Sequence, residues 1–210
     1  MSIPFIAVEG PIGVGKTSLT KAIATHFNYT ALHEIVDENQ FLDKFYQNID
    51  EWSFQTEMFF LCNRYKQLQD SEKYSLSQQR AVVSDYHIFK NLIFAKRTLQ
   101  ASEYEKYEEI YQILTRDTPM PNAIIYLHAS LPKLLDRIEL RGRSFEQNMD
   151  PAYLKQLSAD YDAYIEQFKK NHPEIPVLQL SGDDYDFVQN PADEQQILKQ
   201  VEQMIEERFK

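Results

Sequence analysis

A chain of 210 residues, 43% hydrophobic and 26% charged, has the size and balance of one globular domain with a real core. Its formal net charge of -10 argues against a nucleic-acid partner, whose usual footprint is a basic face, and no apolar run approaches the length of a membrane span. An acidic protein can still hold a polyanionic nucleotide, provided that a few cations converge on it.

The N-terminus lacks a basic n-region and reads as a strand over residues 3–8, not a signal peptide, so a cytoplasmic location is expected by exclusion. A glycine-rich turn follows, then a helix over Lys16–Phe27 and a short strand over 30–35. Helices are expected over 39–48 and 51–70; the second carries apolar residues at helical spacing. Cys62, the only cysteine, lies in its apolar stretch 58–62; no intramolecular disulfide can form, and a small buried hydrophobe is expected there. A third strand over 81–85, helices over 88–99 and 103–115, and a fourth strand over Ala123–His128 follow, with Pro119 and Pro121 closing the second helix. Two helices, 131–140 and 151–169, flank a basic turn at Gly142; a strand over 176–180 and a helix over 192–209 end the chain. Strands alternating with helices imply an α/β fold: a five-stranded parallel sheet with helices on both faces, here one domain over 1–210.

Gly10-Pro11-Ile12-Gly13-Val14-Gly15-Lys16-Thr17 fits the pattern of glycine, four residues, then glycine-lysine-threonine, between a strand and a helix. Its glycines let successive backbone N–H groups point at one phosphate, and the helix adds its positive N-terminal end. Lys16 can reach the β- and γ-phosphates and Thr17 can ligate Mg²⁺, which points to ATP and Mg²⁺ as cofactors.

Three further features sit where ligands of open parallel sheets bind, beyond the strands' carboxyl ends. Glu34, at the end of the second strand, is either a base for an attacking hydroxyl or a solvated loop acid like neighbouring Asp37 and Glu38. Asp85, at the end of the third, either holds Mg²⁺ or caps the next helix. Arg137, Arg141 and Arg143 cluster in an acidic chain; they either pair with Asp136, Glu139 and Glu146 or form a lid over transferring phosphate.

Taken together, the Gly10 loop with Ser18 and Leu19, His33-Glu34-Ile35-Val36, Phe45-Tyr46, Trp52-Ser53-Phe54, Asp85-Tyr86-His87 and the segment from Arg137 to Glu146 resemble the deoxyribonucleoside kinase family, most closely its bacterial purine-specific members. The resemblance runs over nearly the whole chain. It implies a phosphate-loop kinase fold with a short arginine-rich lid, about 141–150, and phosphoryl transfer from ATP to a small-molecule deoxynucleoside. It further implies that Glu34 is the catalytic base, that Tyr46 and Glu146 bind the 3′-hydroxyl, and that Arg137, Arg141 and Arg143 close on the phosphates. Glu57, Arg64 and Asn91 match base-proximal positions; Asp186 and Phe187 match a loop touching the ATP adenine. A homodimer, or a heterodimer with a related subunit, is also implied.

The chain departs from the family in one place. The usual acid-arginine-serine triplet is Asp85-Tyr86-His87 here, so the arginine that supports the base is missing, and His87 or Lys90 is left to supply a cation. Glu57 stands where the resembling deoxycytidine kinases have glutamine. An ionised glutamate offers only acceptors and suits the two adjacent donors of guanine, while Arg64 can donate to guanine O6 and N7; a plain Glu57–Arg64 pair is the bland alternative. Deoxyguanosine is therefore expected over deoxyadenosine by about 1–3 kcal/mol. A nucleoside monophosphate kinase would need more cations for the acceptor phosphate than residues 37–57 offer. A GTP-driven switch would need a guanine-recognition motif that the sequence lacks, and a non-catalytic nucleotide-binding protein is the remaining alternative.

Overall fold

The computed structural model describes residues 3–36, 38–146 and 149–209. Asp37 and two residues of the expected lid, Gln147 and Asn148, lie outside the described residues. Strand β1 (Phe5–Glu9) is buried along its whole length, as a strand covered on both faces must be. Helix α1 (Lys16–Phe27) packs back on the sheet and leads to β2 (Thr30–Leu32), and β3 (Val82–Ser84) inserts between β2 and β1. With β4 (Ala123–His128) and β5 (Val177–Ser181) on the other side of β1, the order is β2-β3-β1-β4-β5 and every pair is parallel. Successive connections thus diverge around β1, and a crevice opens there at the carboxyl ends of the strands.

Between β2 and β3 run α2 (Leu42–Gln47) and the 26-residue α3 (Ile49–Tyr74). Helices α4 (Lys90–Thr98) and α5 (Ala101–Thr115) join β3 to β4, α6 (Leu131–Arg141) and α7 (Pro151–Asn171) join β4 to β5, and α8 (Pro191–Phe209) ends the fold. The strand pleat divides the core. Phe5 and Val82 face Leu61, Leu68, Ile88, Tyr107 and Tyr111, whereas Ile6, Val8 and Val83 join the larger cluster with Leu19, Ile23, Leu154, Tyr161 and Val201.

All expected elements are present; α1 and β4 keep the expected ends, and most others shift. β2 stops at Leu32, not at 35, because β3 offers it only Val82–Ser84 to pair with; Glu34 and Asp85 consequently lie just past their strands rather than at their ends. The helix expected over 39–48 begins only at Leu42, since the Asn39 side chain accepts the Phe41 N–H at 3.0 Å in a local turn. Cys62 is exposed, contrary to expectation: the buried stripe of α3 runs through Glu57, Leu61, Arg64 and Leu68, and a step of about 100° from Leu61 turns residue 62 out of it.

Candidate active site

The glycine-rich loop leaves β1 at Glu9 and wraps toward α1 with φ +83° at Gly13 and +104° at Gly15. A Cβ at Gly13 would stand 2.7 Å from the Leu134 carbonyl oxygen, so the loop seats directly on α6. Lys16 donates from Nζ to the Gly10 and Pro11 carbonyls, both at 2.8 Å. Burial, reinforced by Lys90, pushes its pKa down; the carboxylates of Glu9, Glu34 and Asp85 oppose the shift. Glu9 is wholly buried beneath, accepting the His87 N–H, and burial raises its carboxyl.

Asp85 joins three segments. Its Oδ2 accepts the Thr17 hydroxyl at 2.7 Å and lies 3.1 Å from His33 Nδ1, while Oδ1 accepts the Glu34 backbone N–H at 2.8 Å. The helix-cap alternative fails, because the carboxylate is spent on the phosphate loop and the β2 loop instead.

Glu34 is not a solvated acid. Lys90 Nζ lies 3.0 Å from both of its carboxylate oxygens, and Arg64 donates from Nε at 2.9 Å and again from Nη2. Burial would raise its carboxyl, but Lys90 and then Arg64 outweigh that and hold it well below the usual carboxylate range. The cation replacing the family arginine is thus Lys90, helped by Arg64. His87 does not supply it: burial pushes its ring down to about 4, and it is wedged between Phe5 and Phe89. Tyr86, in the arginine's place, donates its hydroxyl to Gln67 at 2.7 Å, and Gln67 in turn donates to the His33 carbonyl at 2.7 Å. The tyrosine therefore props the loop that carries Glu34. Sequence reasoning missed Gln67 entirely, since a glutamine on a helix announces nothing; Lys90 stood out only as a cation near a gap.

Lys16, Thr17, His33, Glu34, Arg64, Asp85 and Lys90 line one cavity of about 770 Å³, a ligand-sized volume, which also takes in Tyr46, Thr56, Glu57, Phe60, Phe94 and Glu146. Glu57 and Arg64 do not pair as an isolated couple. Arg64 is turned to Glu34 and, through Nη1, to Asn91 at 2.6 Å, so the expected donation to a base edge competes with existing bonds. Asn91 is fully buried behind Arg64, bonded to the Tyr107 hydroxyl at 2.6 Å; the structure makes it a support of Arg64 and not part of the cavity wall. Among the described residues Glu57 Oε2 has no hydrogen-bond partner, and burial pushes the carboxyl up to about 8. Burial therefore works against the expected ionised Glu57 and favours its carboxylic acid form.

Across the cavity, Glu146 is buried and pairs with Arg141, whose Nε lies 3.0 Å away; Arg143 Nη1 is 3.9 Å from the same carboxylate. Tyr46 stacks on Phe145 with centroids 6.1 Å apart. Arg137 donates to the carbonyls of Val14 and Gly182, each at 3.1 Å, and so ties the phosphate loop to the loop after β5. The bland pairing of these arginines is therefore realised at Glu146, whereas Arg137 uses backbone carbonyls. Phe187 is buried against Gly15, and Asp186 reaches the cavity rim.

A phosphate-binding loop facing a partly buried carboxylate that is clamped by two cations is the plan of a phosphotransferase. A family model described as deoxynucleoside kinase matches residues 6–206. The chain belongs to the deoxynucleoside kinase family. This kinase is 52% identical to deoxyguanosine kinase of Bacillus subtilis, over 96% of its own length and 98% of the relative's. It is 31% identical to deoxyadenosine/deoxycytidine kinase of the same organism, over 98% and 94% of the two chains. Its fold superposes on a deoxyadenosine kinase from M. mycoides with bound dATP at a TM-score of 0.81 and 22% identity, covering 95% and 99%. Membership makes it an ATP-dependent deoxynucleoside kinase. Among the described residues no helix is long and apolar enough to cross a membrane.

Proposed function

We propose that this kinase transfers the γ-phosphoryl group of ATP to the 5′-hydroxyl of a purine deoxynucleoside, with deoxyguanosine preferred. The observation that carries the reading is the Glu34 clamp. A carboxylate kept ionised in a buried site by Lys90 and Arg64 can accept a hydrogen bond from a hydroxyl, orient it toward the phosphate loop and take its proton. Its weak basicity suits a loose transition state, in which bonding to the nucleophile lags. Tyr46 and Glu146 line the same cavity as Glu34 and are the residues we assign to the sugar; Glu57, Phe60 and Phe94, also on its wall, are assigned to the base.

Lys16 and the lid arginines offset charge on the transferring group. Thr17 and Asp85 present two adjacent oxygens beside the loop, a donor set that fits Mg²⁺, which takes one or two protein ligands and completes its shell with phosphate oxygens and water. When bound, the ion supplies positive charge to the β- and γ-phosphates. Deoxyguanosine is favoured by the 52% identical relative; the burial of Glu57, which favours its glutamine-like acid form, is the observation that favours deoxyadenosine as the second reading. A homodimer, on family resemblance, completes the proposal.

ADP release measured across all deoxynucleosides and their monophosphates tests the assignment, and Glu34→Gln tests the mechanism. The variant is expected to bind nucleoside but to lose turnover by about 10²-fold or more. A drop of less than tenfold removes Glu34 as the base, and faster turnover of a monophosphate overturns the substrate class.

A further inference from the structure

Glu57 is 2% exposed, lies on the wall of the cavity and has one carboxyl oxygen without a partner. An orphaned buried carboxyl oxygen is costly, and a ligand that satisfies it gains accordingly. The neighbourhood does not fix its charge. On its own helix the nearest cation, Arg64, is committed to Glu34 and Asn91. Lys90 on α4 is committed to Glu34, and Thr98 on the same helix approaches Glu57 with a hydroxyl while donating it to the Phe94 carbonyl. From α5 comes the Tyr107 hydroxyl, 3.4 Å from the Glu57 carbonyl oxygen; from α7 Tyr153 and from α2 Tyr46, both neutral phenols; and from the β2 loop the anionic Glu34. Burial dominates this balance and raises the carboxyl to about 8, near enough to neutrality for a ligand to tip it either way.

The two purines ask for opposite states. A carboxylic acid offers one O–H donor and one carbonyl acceptor, which match the N1 acceptor and amino donor of adenine. A carboxylate offers two acceptors, which match the N1–H and amino donors of guanine. We propose that Glu57 reads the purine edge in two protonation states, as carboxylic acid toward deoxyadenosine and as carboxylate toward deoxyguanosine, so that the choice between the two nucleosides is set by pH. The inference rests on the purine deoxynucleoside kinase reading above. The proton balance is simple: deoxyguanosine binding to the acid form expels the Glu57 proton to solvent, and deoxyadenosine binding retains it.

The ratio of kcat/KM for deoxyguanosine to that for deoxyadenosine isolates this effect, because every ionisation common to the two reactions cancels. Measured from pH 6.0 to 8.5, the ratio is expected to rise with pH, about tenfold per unit if each purine takes only one form. Glu57→Gln, which keeps the shape, is expected to flatten the ratio and to move it toward deoxyadenosine. Calorimetry at pH 7 in buffers of different ionisation enthalpy gives a readout independent of turnover and of any variant: nearly one proton released per deoxyguanosine bound and none per deoxyadenosine. A constant ratio in the parent enzyme, or a glutamine variant whose ratio still follows pH, overturns the inference while leaving the kinase assignment intact. Failure to phosphorylate either purine deoxynucleoside overturns both.

Discussion

Lys90 replaces a guanidinium with an ammonium, and the exchange is not neutral. A guanidinium grips a carboxylate with a rigid fork, whereas an ammonium is a compact point charge that lies equally close to both oxygens of Glu34, as here. The fork is supplied from another element, by Arg64 on α3. Removing the ammonium in Lys90→Met leaves Glu34 with one counter-charge and freedom to turn. Turnover is expected to fall by about 10²-fold with a smaller change in nucleoside KM, and Lys90→Arg is expected to restore part of it. Steady-state kinetics of the two variants check this, and equal activity of Lys90→Met and parent would remove Lys90 from the site. At this scale the sequence was partly legible. Glu34, Asp85 and Thr17 sit at chain positions where the ends of parallel strands must converge, so their roles follow from topology. The partners of Glu34 do not, because Arg64 and Lys90 lie 30 and 56 residues away along the chain and no local pattern ties them to it. The charge of Glu57 was not legible for the same reason: it depends on burial and on where neighbouring cations are spent.

Helix α3 shows how an element encodes a site. Its inward stripe runs through residues 57, 61, 64 and 68, and two of the four are ionisable. Polar groups at core-facing positions break the amphipathic pattern, and that break is the sequence-level signature of the base-side wall. The phosphate loop depends instead on backbone geometry. Gly13 combines φ +83° with contact to α6, where a Cβ would meet the Leu134 carbonyl and lie 2.8 Å from Ile138 Cγ1. Gly13→Ala is therefore expected to shift the loop off α6 and to raise the KM for ATP at least tenfold, with the nucleoside KM less affected; matched KM measurements for the two substrates decide it. Neighbouring geometry also explains why strand and helix identities were readable while several of their ends were not. β2 ends where β3 stops offering partners, and α2 begins where the Asn39 turn releases the chain; both are set by neighbours rather than by local propensity.

Over the whole molecule the fold brings the ends of β1, β2 and β3 to one edge, and Asp85 bolts all three together: Thr17 of the phosphate loop and His33 on one oxygen, the Glu34 amide on the other. Net charge, composition and domain size described the envelope of this molecule but could not show that donor and acceptor halves share a single carboxylate. Asp85→Asn keeps the shape yet replaces one acceptor oxygen by a donor, which cannot receive both sets of bonds. The KM values for ATP and for nucleoside are expected to rise together, each by about tenfold or more, rather than one alone; a change confined to ATP would mean that the bolt does not reach Glu34. Any coupling that passes through this shared anchor is reciprocal. Whatever filling the nucleotide pocket does to nucleoside affinity, filling the nucleoside pocket must do to nucleotide affinity, by the same factor. Coupling routed this way would need one side chain and no separate regulatory domain.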